Sequence, residues 1–226
     1  MSKKFDEKIK LVEKGKQYSA EEAVKLVKQL GTAKFDETID AAFALGVDTK
    51  QSDQQVRGSV LLPHGLGKKI IVAVICSEDK ISEAKDAGAD FVGADDLVEK
   101  INGGFTDFDV LVATPNMMGK VGKLGKVLGR KGLMPNPKAG TVVQTGLGKA
   151  IQEFKTGKLE FKIDKFGIVH MPIGKISFSE THLAENFKSV YDAISRSKPT
   201  SVKGIFFKSV SLSPTMGPSV KVQTLN

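Results

Sequence analysis

The densest run of chemistry-bearing residues lies between Met118 and Lys138. It holds Lys120, Lys123, Lys126, Arg130, Lys131 and Lys138 and no carboxylate, and Gly119, Gly122, Gly125, Gly129 and Gly132 interrupt it. Glycines let backbone amides approach a phosphate closely, and the cations neutralise it. The run follows the apolar stretch Val110–Ala113, which places it at the C-terminal end of a strand, where open α/β sheets bind ligands. Neither a G-x-x-x-x-G-K-[ST] loop nor a G-x-G-x-x-G fingerprint is present. RNA phosphate is therefore the first reading, a solvated lysine-rich loop the second and a mononucleotide the third.

Two shorter stretches could meet a base or a ribose. In Ala33-Lys34-Phe35-Asp36-Glu37-Thr38, Phe35 beside Lys34 pairs a stacking surface with a cation. An inward core position for Phe35 fits the spacing equally well. In Pro214-Thr215-Met216-Gly217-Pro218, two prolines and a glycine set a tight turn that offers a hydroxyl and a thioether, although a plain turn between strands explains the composition as well. His64, His170 and His182 show no ligand spacing, so no metal is expected. The lone Cys76 sits in the apolar run Ile70–Cys76 and reads as a core thiol.

Composition narrows the partners. The chain of 226 residues carries a net charge of +8, with 40% apolar residues, no Trp, two Tyr and 13 Phe. Its pI is about 9.4, a balance that favours polyanions. The apolar runs are too short to span a membrane, and the N-terminal residues form no apolar signal core, so a soluble cytoplasmic protein is expected.

The elements that must position these stretches alternate in character. Lys3–Lys14 reads as a short helix. Ser19-Ala-Glu-Glu22 is a capping box for a helix that Gly31 stops. Thr38–Val47 alternates as a half-buried strand, and Ser59–Leu62 is a second. From Ile70 the pattern changes to a fully apolar strand, helix Lys80–Ala87, strand Phe91–Val92, helix Asp95–Ile101 and strand Asp109–Ala113. A further strand at Thr141–Val143 and helix Leu147–Lys155 complete a parallel α/β block. Alternation then returns: Lys158–Ile163 and Gly167–Met171 read as a hairpin around Asp164–Gly167. Helix Ser179–Ser195 and strands Gly204–Leu212 and Ser219–Thr224 follow.

Antiparallel patterning thus brackets a βαβ block. The fold class is α/β: a discontinuous domain, 1–66 plus 158–226, holds both termini, and a Rossmann-like three-layer domain, 67–157, is inserted. Gly65, Gly67 and Gly157 fall where the chain crosses between the two and read as a hinge. Residues 67–117 carry 5 basic and 10 acidic side chains, whereas 118–157 carry 8 and 1, so the insert has one acidic and one basic end.

Taken in order, these stretches resemble the L-one family of large-subunit ribosomal proteins in its bacterial form, essentially end to end. Gly129-Arg-Lys-Gly-Leu-Met-Pro-Asn-Pro-Lys-Ala-Gly-Thr141 is similar to the family signature. Ala33–Thr38, Ser52–Gly58, Leu62–Gly67, Ile173–Phe178 and Thr215–Gly217 support it. The resemblance implies a non-enzymatic constituent of the large subunit that binds large-subunit rRNA. It also implies a mobile stalk near the exit site that assists release of deacylated tRNA, and repression of translation through the protein's own operon mRNA. Matched by position, Lys34, Phe35, Thr38, Thr215, Met216 and Gly217 are the main RNA contacts, and Lys165, Lys175 and Ser177 flank them. Lys120, Lys123, Lys126, Arg130, Lys131 and Lys138 are then expected to meet tRNA or stalk phosphates. No cofactor, metal, membrane or small-molecule substrate is expected, and the free chain is expected to be a monomer. Two positions depart from the family pattern. Ile163 stands where an Asn often supplies an amide contact, and Pro214 stands where a small hydroxyl residue is usual. The rival class is a nucleotide-dependent transferase using the parallel sheet, against which the missing phosphate motifs weigh. A free-standing translational repressor would share the RNA surface.

Overall fold

The computed structural model describes residues 3–13 and 15–224. Lys14, the expected end of the first helix, lies outside them. In chain order the elements are α1 (Lys3–Ile9), α2 (Ala20–Leu30), β1 (Thr38–Leu45), β2 (Arg57–Leu61), β3 (Val72–Ile75), α3 (Ile81–Asp86), β4 (Phe91–Gly93) and α4 (Asp95–Asn102). Then come β5 (Val110–Ala113), α5 (Met118–Lys123), α6 (Gly125–Lys131), α7 (Leu147–Thr156), β6 (Lys158–Lys162), β7 (Ile168–Lys175), α8 (Glu180–Arg196), β8 (Phe207–Pro214) and β9 (Val220–Val222). Contacts divide the chain into two compact units, Met1–Gly67 with Glu160–Asn226, and Lys68–Leu159.

The first unit is built on the antiparallel sheet β7-β1-β8-β9. Along β1, Ile39, Ala41, Phe43 and Leu45 are buried while Thr38, Asp40, Ala42 and Ala44 are not. One sheet face is covered and the other is open, as the period of two requires. The cover is α2 and α8. The Ser19 hydroxyl accepts from the Glu22 amide at 3.3 Å, and the Glu22 carboxylate accepts from the Ser19 amide at 3.2 Å, which starts α2 at the expected residue. Leu183, Phe187, Val190, Tyr191 and Ile194 form the buried stripe of α8. Phe187 stacks on Phe43 at 6.0 Å between ring centres. Truncating Phe43, fully buried between sheet and helices, would cost about 3–5 kcal/mol.

The second unit is a parallel sheet in the order β4-β3-β5. Val72–Ile75 is apolar throughout because both faces are covered. Val72, Val74 and Cys76 pack on Ala84, Leu147, Ile151 and Phe154 of α3 and α7. Ala73 and Ile75 pack toward Leu97, Ile101, Val121, Leu124 and Leu128 of α4–α6. Cys76 is the buried core thiol expected of it, and burial first, then the nearby Glu83, pushes its pKa up, against the opposing pull of Lys80.

Three expectations are corrected. The glycine-rich basic run is not an open loop: Met118–Lys123 and Gly125–Lys131 are short helices, because Val121, Leu124 and Leu128 recur at helical spacing and are buried. Thr141–Val143 makes a single parallel bridge, Val142 to Ala113, rather than a strand. The segments around Asp164–Gly167 form a short antiparallel turn, with one bridge, Ile163–Val169, and the Asp164 amide donating to the Ile168 carbonyl, but not a longer hairpin. From there β6 pairs with β2 in a two-stranded ribbon, and β7 joins the four-stranded sheet. The Arg57–Glu160 ion pair, at 2.5 Å, clips that ribbon. Gly65, Gly67 and Gly157 all have positive φ (+61°, +68°, +130°), the left-handed region that favours glycine.

Candidate nucleic-acid interface

Antiparallel order brings the start of β1 beside the ends of β7 and β8. Thr38 pairs with Lys175, and Ile39 with both Gly174 and Pro214. Three segments distant in sequence, 34–38, 175–177 and 215–217, therefore meet at one end of the sheet.

Hydrogen bonds fix this rim. The Thr215 amide donates to the Thr38 carbonyl at 3.0 Å. The Thr215 hydroxyl donates to the same carbonyl and accepts from the Thr38 amide, both at 3.1 Å. Lys175 Nζ donates to Thr38 Oγ1 at 2.9 Å and to the Asp36 carbonyl at 3.3 Å. The Ser177 amide and hydroxyl both donate to the Asp36 carboxylate, at 3.1 and 2.7 Å. Lys34, Phe35, Thr215 and Met216 stand out into solvent, with Phe35 58% and Met216 59% exposed. Of the two readings of Phe35, the outward one holds.

Glu37, inside the Ala33–Thr38 stretch but not singled out from the sequence, is the residue that ties this rim together. It is 1% exposed, and its two carboxylate oxygens accept from three amides: Thr32 at 2.7 Å, Ala33 at 2.6 Å and Met216 at 2.9 Å. One buried carboxylate thus ties the loop carrying Phe35 to the turn carrying Met216. Burial acts to raise its pKa, but the amides of Ala33, Met216 and Thr32 outweigh that and hold it below the ordinary carboxylate range.

Gly217 has a packing role. An added Cβ would lie 2.5 Å from Pro214 Cγ and 3.1 Å from the Leu30 carbonyl oxygen, so only glycine lets the turn fold back on α2. Pro214 and Pro218, which flank the turn, are buried.

Two of the carried-over residues are placed more narrowly than their motifs implied. The Thr215 hydroxyl is not free: its proton goes to Thr38, and any further partner must reach it through its remaining acceptor capacity. Lys165 is not part of this rim. It precedes Ile168, which pairs with Ala44, whereas Lys175 pairs with Thr38. The strand between them puts Lys165 about 20 Å away, at the other end of the sheet. Ile163 is buried, and its amide donates to the Val56 carbonyl at 3.0 Å.

The open sheet face continues from the rim with small or polar groups: Asp40, Ala42, His170, Ser211 and Ser213. Asp40 is pushed above its usual pKa by burial, against the opposing pull of His170 and Lys175. His64 and His182, distant in sequence, stack at 3.9 Å, and His64 Nε2 lies 2.5 Å from Glu185. The hydrogen bond from His64 is the main cause that lowers the Glu185 pKa. Among the described residues no group of three or more His, Cys, Asp or Glu is arranged to hold a metal ion.

In the second unit, Lys120 is paired with Asp95 at 2.6 Å and Lys131 contacts Thr106. Lys126 and Arg130 line a shallow depression floored by Gly125 and Gly129, and Lys138 follows at a short helical turn.

A preset rim of ring, thioether, hydroxyl and ammonium groups on a two-unit α/β scaffold has the chemistry of a binding surface, not of an active site. The model of the Ribosomal protein L1p/L10e family matches residues 26–218. A curated relative from Solidesulfovibrio magneticus, named Large ribosomal subunit protein uL1, is 54% identical over 222 residues, covering 98% of this chain and 94% of the relative. The chain belongs to the L1 family of ribosomal proteins, a family of structural proteins that are not enzymes.

Proposed function

We propose that this chain is a structural constituent of the large ribosomal subunit, in the cytoplasm, and binds large-subunit rRNA through the rim formed by Lys34, Phe35, Thr38, Lys175, Ser177, Thr215, Met216 and Gly217. The supporting observation is the convergence of three distant segments into a surface that buried Glu37 and the Thr38–Thr215 bonds hold in shape before any ligand arrives. Such a surface loses little entropy on binding. Exposed Phe35 and Met216 suit unstacked bases, and the neighbouring lysines and hydroxyls suit ribose and phosphate.

The same reading makes the split unit the rRNA-binding domain and the insert a mobile body, with Gly65, Gly67 and Gly157 as hinge residues. The free chain is a monomer, and on the ribosome it forms the stalk near the exit site. The cations of α5 and α6, with Lys138, then meet exit-site tRNA and assist its release when deacylated. The rim also binds the protein's own operon mRNA and represses translation. Ultraviolet crosslinking in cells, followed by sequencing of the attached RNA, tests this. Large-subunit rRNA should dominate, with tRNA reads attached to the insert. A library without large-subunit rRNA would overturn the proposal.

A further inference from the structure

The sulfur atoms of the chain divide by exposure. Met171 and Met117 are buried, and Met118 and Met134 pack half-buried against the core of the second unit. Cys76 is fully buried, and burial raises its pKa, so no thiolate faces an oxidant. Met216, at 59%, is the one exposed thioether among the described residues.

Met216 stands on a turn that cannot draw it back. Its amide donates to the Glu37 carboxylate at 2.9 Å, the Gly217 amide donates to the Pro214 carbonyl at 3.3 Å, and the Thr215 hydroxyl donates to the Thr38 carbonyl. Pro214 and Pro218 on either side are buried. With the backbone held in this way, chemistry at the side chain changes the surface and leaves the fold alone.

A thioether has no proton to lose, so its oxidation needs only access to the oxidant. With hydrogen peroxide, a sulfur lone pair attacks one peroxide oxygen. An S–O bond forms as the O–O bond breaks, and sulfur gives up two electrons. The departing hydroxide takes the proton of the transferred oxygen and leaves as water. The product is a sulfoxide, polar and chiral where the thioether was flexible and apolar. A base or ribose that covered the thioether must then cover a sulfoxide oxygen, which is unfavourable unless that oxygen finds a donor.

We propose that Met216 is an oxidation site that switches the rim. Peroxide converts it to the sulfoxide in the free chain, the oxidised chain binds rRNA weakly, and RNA already bound shields the sulfur. Reduction by a methionine sulfoxide reductase drawing on a dithiol returns the thioether, with the oxygen released as water. The inference rests on the rRNA-binding reading above and adds a regulator of that same surface.

The test is a limited peroxide dose on the full chain, alone and with stalk rRNA, followed by peptide mass spectrometry and an rRNA titration. Met216 should take up one oxygen ahead of Met117, Met118, Met134 and Met171, and prior binding of rRNA should slow that uptake. The dose should lower the affinity of the parent about tenfold or more with circular dichroism unchanged, and a sulfoxide reductase with dithiothreitol should restore it. Whatever its starting affinity, Met216→Leu should be indifferent to the same dose. Phe35→Ala, never oxidised, separates the switch from the rim. Oxygen on Met216 with parent-like affinity, while Phe35→Ala binds weakly, would overturn the switch and leave the rim standing. Parent-like affinity in both would overturn the rim as well. A loss of affinity that Met216→Leu shares, or oxygen appearing first on a buried methionine, would place the sensitivity elsewhere and overturn the assignment.

Discussion

Glu37→Gln changes one atom type inside the rim and removes its charge. The Gln carbonyl oxygen can still accept from Thr32 and Ala33, but its NH2 group then faces the Met216 amide, donor against donor. The lost bond was to a charged acceptor, and the Met216 amide is left without a partner, so the cost is roughly 1.5–3 kcal/mol. For a chain of this size that is a drop of roughly 3–12 °C in melting temperature, since each kcal/mol shifts it by about 2–4 °C. The pH dependence gives a second signature. The folded-state pKa of Glu37 is depressed below its ordinary value of 4.5, so its stabilisation is fully present above that value. It is lost as the pH falls through the lowered folded value. The gap between parent and variant should therefore be full at pH 7 and close on acidification. Because Phe35 and Met216 are no longer held together, rRNA affinity should fall at least tenfold. Differential scanning calorimetry across pH and a filter-binding titration measure both. Equal melting at pH 7, or a gap that persists in acid, would refute the assignment of Glu37 as the tie.

Thr215→Val keeps the branched shape but takes away the acceptor for the Thr38 amide and whatever acceptor capacity RNA uses. At roughly 1–3 kcal/mol, rRNA affinity should fall about ten- to a hundredfold, and operon mRNA affinity with it, read by titration with circular dichroism as control. Replacing Lys120, Lys123 and Lys126 together by Gln should leave incorporation into large subunits intact and slow release of exit-site tRNA, as measured by sedimentation and by fluorescent-tRNA dissociation. If ribose and base contacts dominate the rim, only about two to four phosphates are engaged, and log K against log salt should have a slope of about −1.5 to −3. A slope steeper than about −6 in that titration would mean that the lysines govern binding.

Much of the scaffold was legible because periodicity reports burial. The capping box at Ser19, the stripe of α8 and the fully apolar β3 all read through directly to the structure. Glycine content misled at 118–131, where the interrupting glycines suggested a loop and the quieter recurrence of Val121, Leu124 and Leu128 decided for helix. The hairpin at Asp164–Gly167 holds as a turn with one antiparallel bridge but its strands part into different sheets, because local alternation does not say which sheet a strand joins. At the site, the motifs carried Phe35 and Thr215–Gly217 but not their solvent exposure or the internal use of the Thr215 hydroxyl, which depend on contacts across the sheet. Glu37 left a trace that went unread: it continues the inward odd phase of Ile39, Ala41 and Phe43, so a carboxylate there had to be buried and bonded. Lys165 and Lys175 could likewise have been separated, since an eight-residue strand lies between the Asp164–Gly167 turn and the rim.

The central claim is that the Phe35–Met216 rim binds large-subunit rRNA by preset contacts rather than by charge alone. Equilibrium titration of the stalk rRNA with the parent, Phe35→Ala and Met216→Ala tests it most directly, because both side chains are exposed and carry no charge. Each substitution should lower affinity about tenfold or more with an unchanged melting temperature. Parent-like affinity in both folded variants would contradict the account.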